Sequence, residues 1–210
     1  MEPAAGLAQA SGRRRVIGLG LMWAAGFALA SSRAAAQQAF VVKPVVEKKL
    51  KQLPAGPLYW RVENFPTLAL AQAAEGPTSL AAEVAGKVWL FTLGAKGSAT
   101  KGGSNVVEIG PIPEISAPEY LLRINYAEGP PGAKTRVHTH PGSETFYVLS
   151  GRLGQQTPQG QMYVDAGQSM PGHGRGMPMQ VSSSGVGDLT ALVMFVVDAT
   201  KPFSSPAKFQ

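Results

Sequence analysis

The chain has 210 residues, of which 44% are hydrophobic and 15% are charged, and its formal net charge is +6. It contains no cysteine, which excludes disulfides, thiolate metal sites and cysteine nucleophiles. Its 25 glycines and 17 prolines predict a fold with many turns and not a helix bundle.

The first 36 residues have the pattern of a signal peptide. Three arginines at residues 13–15 precede an apolar run over residues 16–30, and Ala36 ends a run of small residues that a signal peptidase reads. A transmembrane anchor is the alternative, but the run is about 15 residues long and spanning needs ~20. We therefore predict cleavage after Ala36, a periplasmic or secreted mature protein, and no stable membrane anchor. The triple arginine suits a twin-arginine signal as well as an ordinary one.

The positive charge belongs partly to this N-terminal segment. Without it, the chain carries 15 basic and 12 acidic residues. The basic residues are scattered except for Lys48, Lys49 and Lys51. This distribution indicates a solvated surface and predicts no nucleic-acid partner.

Residues 37–83 are predicted to form an N-terminal arm and extension. Residues 40–46 are β-branched and apolar but are interrupted by Pro44, which indicates an edge strand or an extended arm. Because this apolar run has no predicted partner strand, the arm is a candidate exchange element in a homodimer. A short strand over residues 58–63 and one short helix over residues 67–74 follow.

Residues 84–199 are predicted to form one all-β domain. Short strands separated by Gly/Pro turns are typical of an antiparallel sandwich or barrel. The predicted strands cover residues 87–93, 105–109, 120–126, 134–140, 144–150, 161–165, 177–182 and 189–197. The tail, residues 200–210, is polar and is predicted to be loosely ordered and flexible.

The candidate site lies between residues 132 and 151. His138 and His140 are two apart, so on a strand both imidazoles project from one face. Glu144 follows a Pro-Gly turn, where the chain can reverse and bring the carboxylate beside them. Imidazole and carboxylate at this spacing form a candidate site for a divalent transition metal. The alternative, that both histidines are hydrogen-bonded core residues, is less economical because the chain has only three histidines.

The spacing of this stretch resembles the first conserved motif of the cupin superfamily. The matching positions are Gly132, His138, His140, Glu144 and Gly151. The resemblance covers about residues 84–199 and implies a cupin-like antiparallel β-barrel, or jelly roll, whose central pocket holds the metal ligands.

Arg136 is a candidate substrate-binding residue. It lies two residues before His138 and falls on the same face of the predicted strand. Three roles are open: binding a substrate carboxylate, pairing with Glu144, or lying in solvent at the barrel mouth.

The second motif of the family is altered here. Aligning residues 176–178 with its usual Gly-x-Pro-His places Met179 where a histidine is expected. Three ligand sets stay open. Met179 is core filler beside a three-ligand site, or His173 in its glycine-rich loop is the fourth ligand, or the Met179 sulfur binds the metal and favours copper.

These features predict an exported cupin-fold enzyme that binds one divalent transition metal: Fe, Mn, Ni, Zn or Cu. Dioxygenase-like chemistry on a small organic molecule is the predicted activity, with Glu144 as the candidate proton acceptor. The alternative is a non-catalytic cupin that binds a small ligand or a metal, which the altered second motif favours. Metal-free isomerisation by His140 and Tyr147 is disfavoured because Tyr147 alternates away from Glu144.

Overall fold

The structure is a computed structural model that describes residues 39–97 and 99–209. The predicted signal peptide and its cleavage site lie outside the described residues. Within the described ranges, no helix has both the length and the apolar character that a membrane-spanning segment requires.

The described residues form fourteen strands and one short helix. The strands of the N-terminal half are β1 (Val41–Leu50), β2 (Tyr59–Phe65), β3 (Ser79–Val84), β4 (Lys87–Gly94), β5 (Ser104–Ile109) and β6 (Tyr120–Gly129). The remaining strands are β7 (His138–Thr139), β8 (Gly142–Ser150), β9 (Arg152–Thr157), β10 (Gly160–Asp165), β11 (Ser169–Met170), β12 (Gln180–Ser183), β13 (Leu189–Asp198) and β14 (Ser205–Pro206).

The helix, α1 (Leu68–Ala73), lies where the sequence predicts it. Thr67 caps its N-terminus, and the side chain of this residue accepts a hydrogen bond from the backbone N–H of Leu70 at 3.3 Å. The helix buries Ala71 against a small apolar cluster on the four-stranded sheet. The short helix therefore covers one end of the fold and lies away from the candidate site.

The strands pair antiparallel in four sheets, so the predicted all-β class is confirmed. The five-stranded sheet has the order β1-β6-β13-β8-β11 and the four-stranded sheet the order β3-β4-β2-β5. The smaller sheets are β10-β9-β12 and β14-β7.

Strand β13 explains how these sheets form layers. Its residues alternate between two apolar cores: Leu192 and Met194 pack with the four-stranded sheet, whereas Val193 and Phe195 face the three-stranded sheet. A strand buried on both faces requires a continuous apolar sequence. The five-stranded sheet is thus the middle layer, and the second core is the interior of the barrel.

Residues 132–140 complete the barrel wall beside β12. The backbone N–H of Thr135 donates to the carbonyl of Val181, and His138 and Met179 exchange two backbone hydrogen bonds. The predicted strand over residues 134–140 is shorter than expected, because only His138–Thr139 has regular strand geometry. This irregular segment still faces the interior and carries the candidate ligands.

The predicted N-terminal arm and extension are part of the same sheets. Strand β1 lies at the edge of the five-stranded sheet and pairs with β6 of its own chain, with a register shift at Pro44. Strands β2 and β3 join β4 in the outer sheet. The homodimer through this arm stays a prediction.

The C-terminal tail makes contacts that correct its expected loose order. Ser205 and Pro206 form β14 and pair with Thr139 and His138 of β7. The backbone N–H of Ala207 donates to the carbonyl of Val137 at 3.0 Å. Strand pairing supplies the partners that the polar composition of the tail does not reveal.

Candidate metal centre

The three candidate ligands come from two consecutive segments of the chain. His138 begins β7, His140 follows it by two residues, and Glu144 lies near the start of β8. Gly142 permits the connection, because a side chain at this position would overlap the backbone of β13. The close approach at this glycine carries the Glu144 carboxylate beside the two imidazoles.

The structure brings the predicted ligand atoms together. One nitrogen of each histidine and one carboxylate oxygen of Glu144 all lie within 4.8 Å of one another. Nε2 of His140 is 3.9 Å from Oε1 of Glu144, and the two imidazole rings meet edge to face with centroids 4.9 Å apart. The triad predicted from the spacing is therefore one cluster inside the barrel.

Backbone carbonyls orient both imidazoles. Nδ1 of His138 is 2.8 Å from the carbonyl oxygen of Arg136, and Nδ1 of His140 is 2.7 Å from the carbonyl oxygen of Phe203. Because a carbonyl only accepts, each Nδ1 carries the hydrogen and each neutral ring keeps its lone pair on Nε2. This arrangement is typical of histidines that bind metals.

Burial determines the charge of the cluster. Glu144 is 4% exposed, and desolvation raises its pKa to about 8. Desolvation also lowers the pKa of His140 to about 4, so this imidazole is neutral at pH 7. Among the described residues, no lysine or arginine forms an ion pair with Glu144, so a bound cation would stabilise its buried carboxyl as an anion.

These residues fit a divalent transition metal. One nitrogen of each histidine and one carboxylate oxygen of Glu144 converge, and Nδ1 of each imidazole is held by a hydrogen bond to a backbone carbonyl. Imidazole and carboxylate together suit Fe, Mn, Ni and Zn, and two histidines with one carboxylate leave open positions for a substrate.

The two candidates for the fourth ligand, His173 and Met179, lie differently with respect to the cluster. His173 is not part of the ligand cluster. Its backbone carbonyl accepts a hydrogen bond from the N–H of Glu144, and its Nε2 is buried with no hydrogen-bond partner within the described ranges. Met179 is 1% exposed and pairs with His138 across the barrel wall. Its Sδ lies 3.3 Å from Nε2 of Gln155. Met179 therefore lies beside the candidate centre, and His173 contributes only backbone contact to it.

Arg136 lies at the exposed side of a cavity that contains the cluster. The side chain forms no ion pair with Glu144, and no other ion pair of it is found among the described residues. Its backbone carbonyl, in contrast, accepts the hydrogen bond from His138. Of the three predicted roles, pairing with Glu144 is wrong, because Glu144 is enclosed deeper in the barrel.

The cavity has a volume of about 620 Å³ and opens between β1, β7 and the tail. Its walls are mainly apolar, and the lining includes Phe40, Val42, Pro44, Asn125, Phe146, Val193, Phe195 and Phe203. The ring of Phe203 contacts His140 and Phe195, with centroids 4.8 and 4.9 Å away. Arg123 lies over the same ring at 4.4 Å and pairs with Glu47.

Three residues of the site do not follow from the sequence motif: Gln155, Phe203 and Asn125. Leu153 and Gln155 lie two residues apart on β9, and both are fully buried. Because alternate residues of a strand share one face, the sequence could have predicted that Gln155 points inward with Leu153. Asn125, 3% exposed, lines the cavity, and no described residue forms a hydrogen bond with its Oδ1. No local signal marks Phe203, whose role depends on the tail pairing with β7.

The antiparallel sheets form a barrel that holds two histidines and a glutamate in its interior, which is the arrangement that the resemblance of the first motif implies. The all-β fold and the position of the site therefore agree with the resemblance of the first motif to the cupin superfamily. No protein-family model matches the chain, and no curated protein matches it.

Several solved structures resemble the chain in fold. A cupin-like protein from Thermotoga maritima is 15% identical with a TM-score of 0.37, and the match covers 42% of this chain and 65% of that protein. A polyketide cyclase from Streptomyces resistomycificus is 21% identical with a TM-score of 0.36, covering 42% and 62%. A DMSP lyase from Ruegeria pomeroyi is 18% identical with a TM-score of 0.36, covering 41% and 43%. The chain thus spans less than two thirds of each of these proteins, and likeness at this level says nothing about activity.

Proposed function

We propose that this chain is a metal-dependent cupin enzyme that acts on a small organic molecule, with dioxygenase-like chemistry. The observation that supports the proposal is the buried cluster of His138, His140 and Glu144 at the wall of the cavity. Nδ1 of each ring is already hydrogen-bonded, which leaves Nε2 as the nitrogen that would bind the metal.

The chain's own residues have distinct tasks in this proposal. A bound transition metal supplies Lewis-acid and redox chemistry. The apolar walls exclude water, and Glu144, kept ionised by the neighbouring cation, accepts a proton when it is not bound as a ligand. Arg136, exposed and free of an ion pair with Glu144, binds a carboxylate of the substrate at the cavity mouth.

Metal content tests the first half of the proposal. Elemental analysis of the purified protein should find about one transition-metal ion per chain, and the double variant His138→Ala/His140→Ala should lose it. His173→Ala is the matched control, because this histidine lies outside the ligand cluster. A wild type without stoichiometric metal, whose double variant is equally stable, would refute the metal site.

Oxygen consumption tests the second half. The metal-loaded protein should consume oxygen with at least one member of a panel of phenols, diketones and organic acids, and Arg136→Gln should weaken the response to the acids most. Metal binding without oxygen consumption across the panel would favour the second candidate function, a non-catalytic cupin. The donor set supports that alternative, since Met179 stands where the family has a histidine.

Export and assembly are proposals of their own. N-terminal sequencing of the mature protein from its host tests cleavage after Ala36. Gel filtration of the full mature chain beside a variant lacking residues 37–48 tests a homodimer through the arm; an unchanged monomeric elution volume for both would exclude it.

A further inference from the structure

Gln155 is a fully buried polar residue beside the metal centre. It lies on β9 with 0% exposure, among apolar neighbours of the barrel interior such as Leu153 and Val181. Its Oε1 has no hydrogen-bond partner among the residues that the structure describes. An amide buried with one end unsatisfied is unfavourable for packing, so an apolar side chain would suit this position better unless the amide serves the site.

The other end of the amide contacts two groups of the site at once. Nε2 of Gln155 lies 3.4 Å from Oε2 of Glu144 and 3.3 Å from Sδ of Met179. An ionised carboxylate and a thioether sulfur only accept hydrogen bonds, so the N–H end of the amide is the end that faces them. The amide nitrogen has two hydrogens and can serve both acceptors.

The two carboxylate oxygens of Glu144 have different neighbours. Oε2 faces Gln155, whereas Oε1 faces Nε2 of His140 at 3.9 Å. A hydrogen bond to Oε2 leaves Oε1 as the oxygen directed toward the two imidazoles. The same amide engages the Met179 sulfur, which lies at the position where the family motif has a histidine.

We infer that Gln155 is a positioning residue that presents Glu144 through Oε1 and keeps the Met179 sulfur off the metal. The centre then offers two nitrogens and one oxygen and discriminates against soft ions such as Cu⁺, which thioethers favour. The inference rests on the proposed function, and it adds an explanation of which metal ions the site prefers.

Competition titrations with Zn²⁺ and Cu⁺ test the inference, with Gln155→Leu as the variant. Loss of the amide should weaken Zn²⁺ binding about tenfold or more, since second hydrogen-bonding partners of ligands carry effects of this size. It should also raise Cu⁺ affinity relative to Zn²⁺ by about tenfold or more, because the sulfur is released. A purely structural defect would instead weaken the binding of Zn²⁺ and of Cu⁺ in parallel.

The double variant Gln155→Leu/Met179→Leu should abolish the relative gain for Cu⁺. Met179→Leu alone should leave the ratio of Zn²⁺ affinity to Cu⁺ affinity unchanged, and this measurement does not depend on whether Gln155→Leu folds. If Met179→Leu weakens Cu⁺ binding more than Zn²⁺ binding, the sulfur already binds the metal and the inference is wrong. If folded Gln155→Leu has the same ratio of Zn²⁺ affinity to Cu⁺ affinity as the wild type, the inference is also wrong, but the proposed metal site is not refuted. A wild type that binds neither ion defeats both the inference and the proposed function.

Discussion

The backbone carbonyl of Phe203 accepts a hydrogen bond from Nδ1 of His140 at 2.7 Å, across 63 residues of sequence. The C-terminal tail thereby fixes the tautomer of a buried candidate metal ligand. The ring of Phe203 also lines the cavity and packs on Phe195. The last residues of the chain are thus part of the site.

Truncation of the tail should weaken metal binding. A chain ending at Lys201 loses the acceptor of His140 and the strand that pairs with β7, so the affinity for Zn²⁺ should fall about 10–100-fold. Isothermal titration calorimetry measures the change. A chain ending at Ala207 is the control, because it keeps β14 and the Phe203 carbonyl. Equal affinities for both truncated chains would contradict the role of the tail.

Glu144 should make the metal-free protein less stable as the pH rises. Its pKa is about 8 in the folded protein and has an ordinary value of 4.5, so between these values the folded state holds a proton that the unfolded state lacks. The free energy of unfolding therefore declines from about pH 5 to about pH 8 through this group. In Glu144→Gln this contribution disappears.

Urea unfolding of the two metal-free proteins across that range measures the difference. Near the acid end the two free energies should be similar, and at the alkaline end the variant should be the more stable. Parallel pH profiles would show that Glu144 does not titrate as its burial indicates.

Gly172 should tolerate no side chain, because its backbone packs against the backbone of Glu144. A Cβ at Gly172 would overlap the carbonyl oxygen of Glu144, and its φ of +70° is a conformation that favours glycine. Gly172→Ala should therefore destabilise the protein by more than the ~1–2 kcal/mol that a left-handed conformation costs alone. It should also displace Glu144, a candidate metal ligand.

Gly176→Ala is the matched control for this substitution. Gly176 has a φ of +75° in the same loop, but nothing lies within 4 Å of a Cβ there. Gly172→Ala should unfold at a lower temperature than Gly176→Ala, and only Gly172→Ala should lose Zn²⁺ affinity. Equal effects would mean that the contact with Glu144 is unimportant.

His173→Ala should leave Zn²⁺ affinity unchanged within about threefold, well below the change expected for loss of a ligand partner. The reason is that the ring nitrogens of His173 do not join the ligand cluster. His140→Ala, measured in the same titration, should abolish tight binding. A large loss in His173→Ala would show that its loop closes over the metal and supplies a fourth ligand.

The local pattern predicted much of the fold and the centre of the site. Short apolar segments marked β2, β4, β6, β8 and β13. Strands β3 and β9 were missed, since alanine, glycine and glutamine give a weak strand signal. For residues 134–140, some backbone carbonyls accept hydrogen bonds from side chains, so the ladder with the segment around β12 is only partly regular.

The sequence by itself determined that His138, His140 and Glu144 share one face, because strand geometry and a glycine turn are set by near neighbours. Only the tertiary structure decided which groups surround them. Gln155 and Phe203 reach the centre through sheet pairing between distant segments, as does Met179. Which remote strands meet depends on how the whole chain buries its apolar surface, and a local spacing contains no record of that choice.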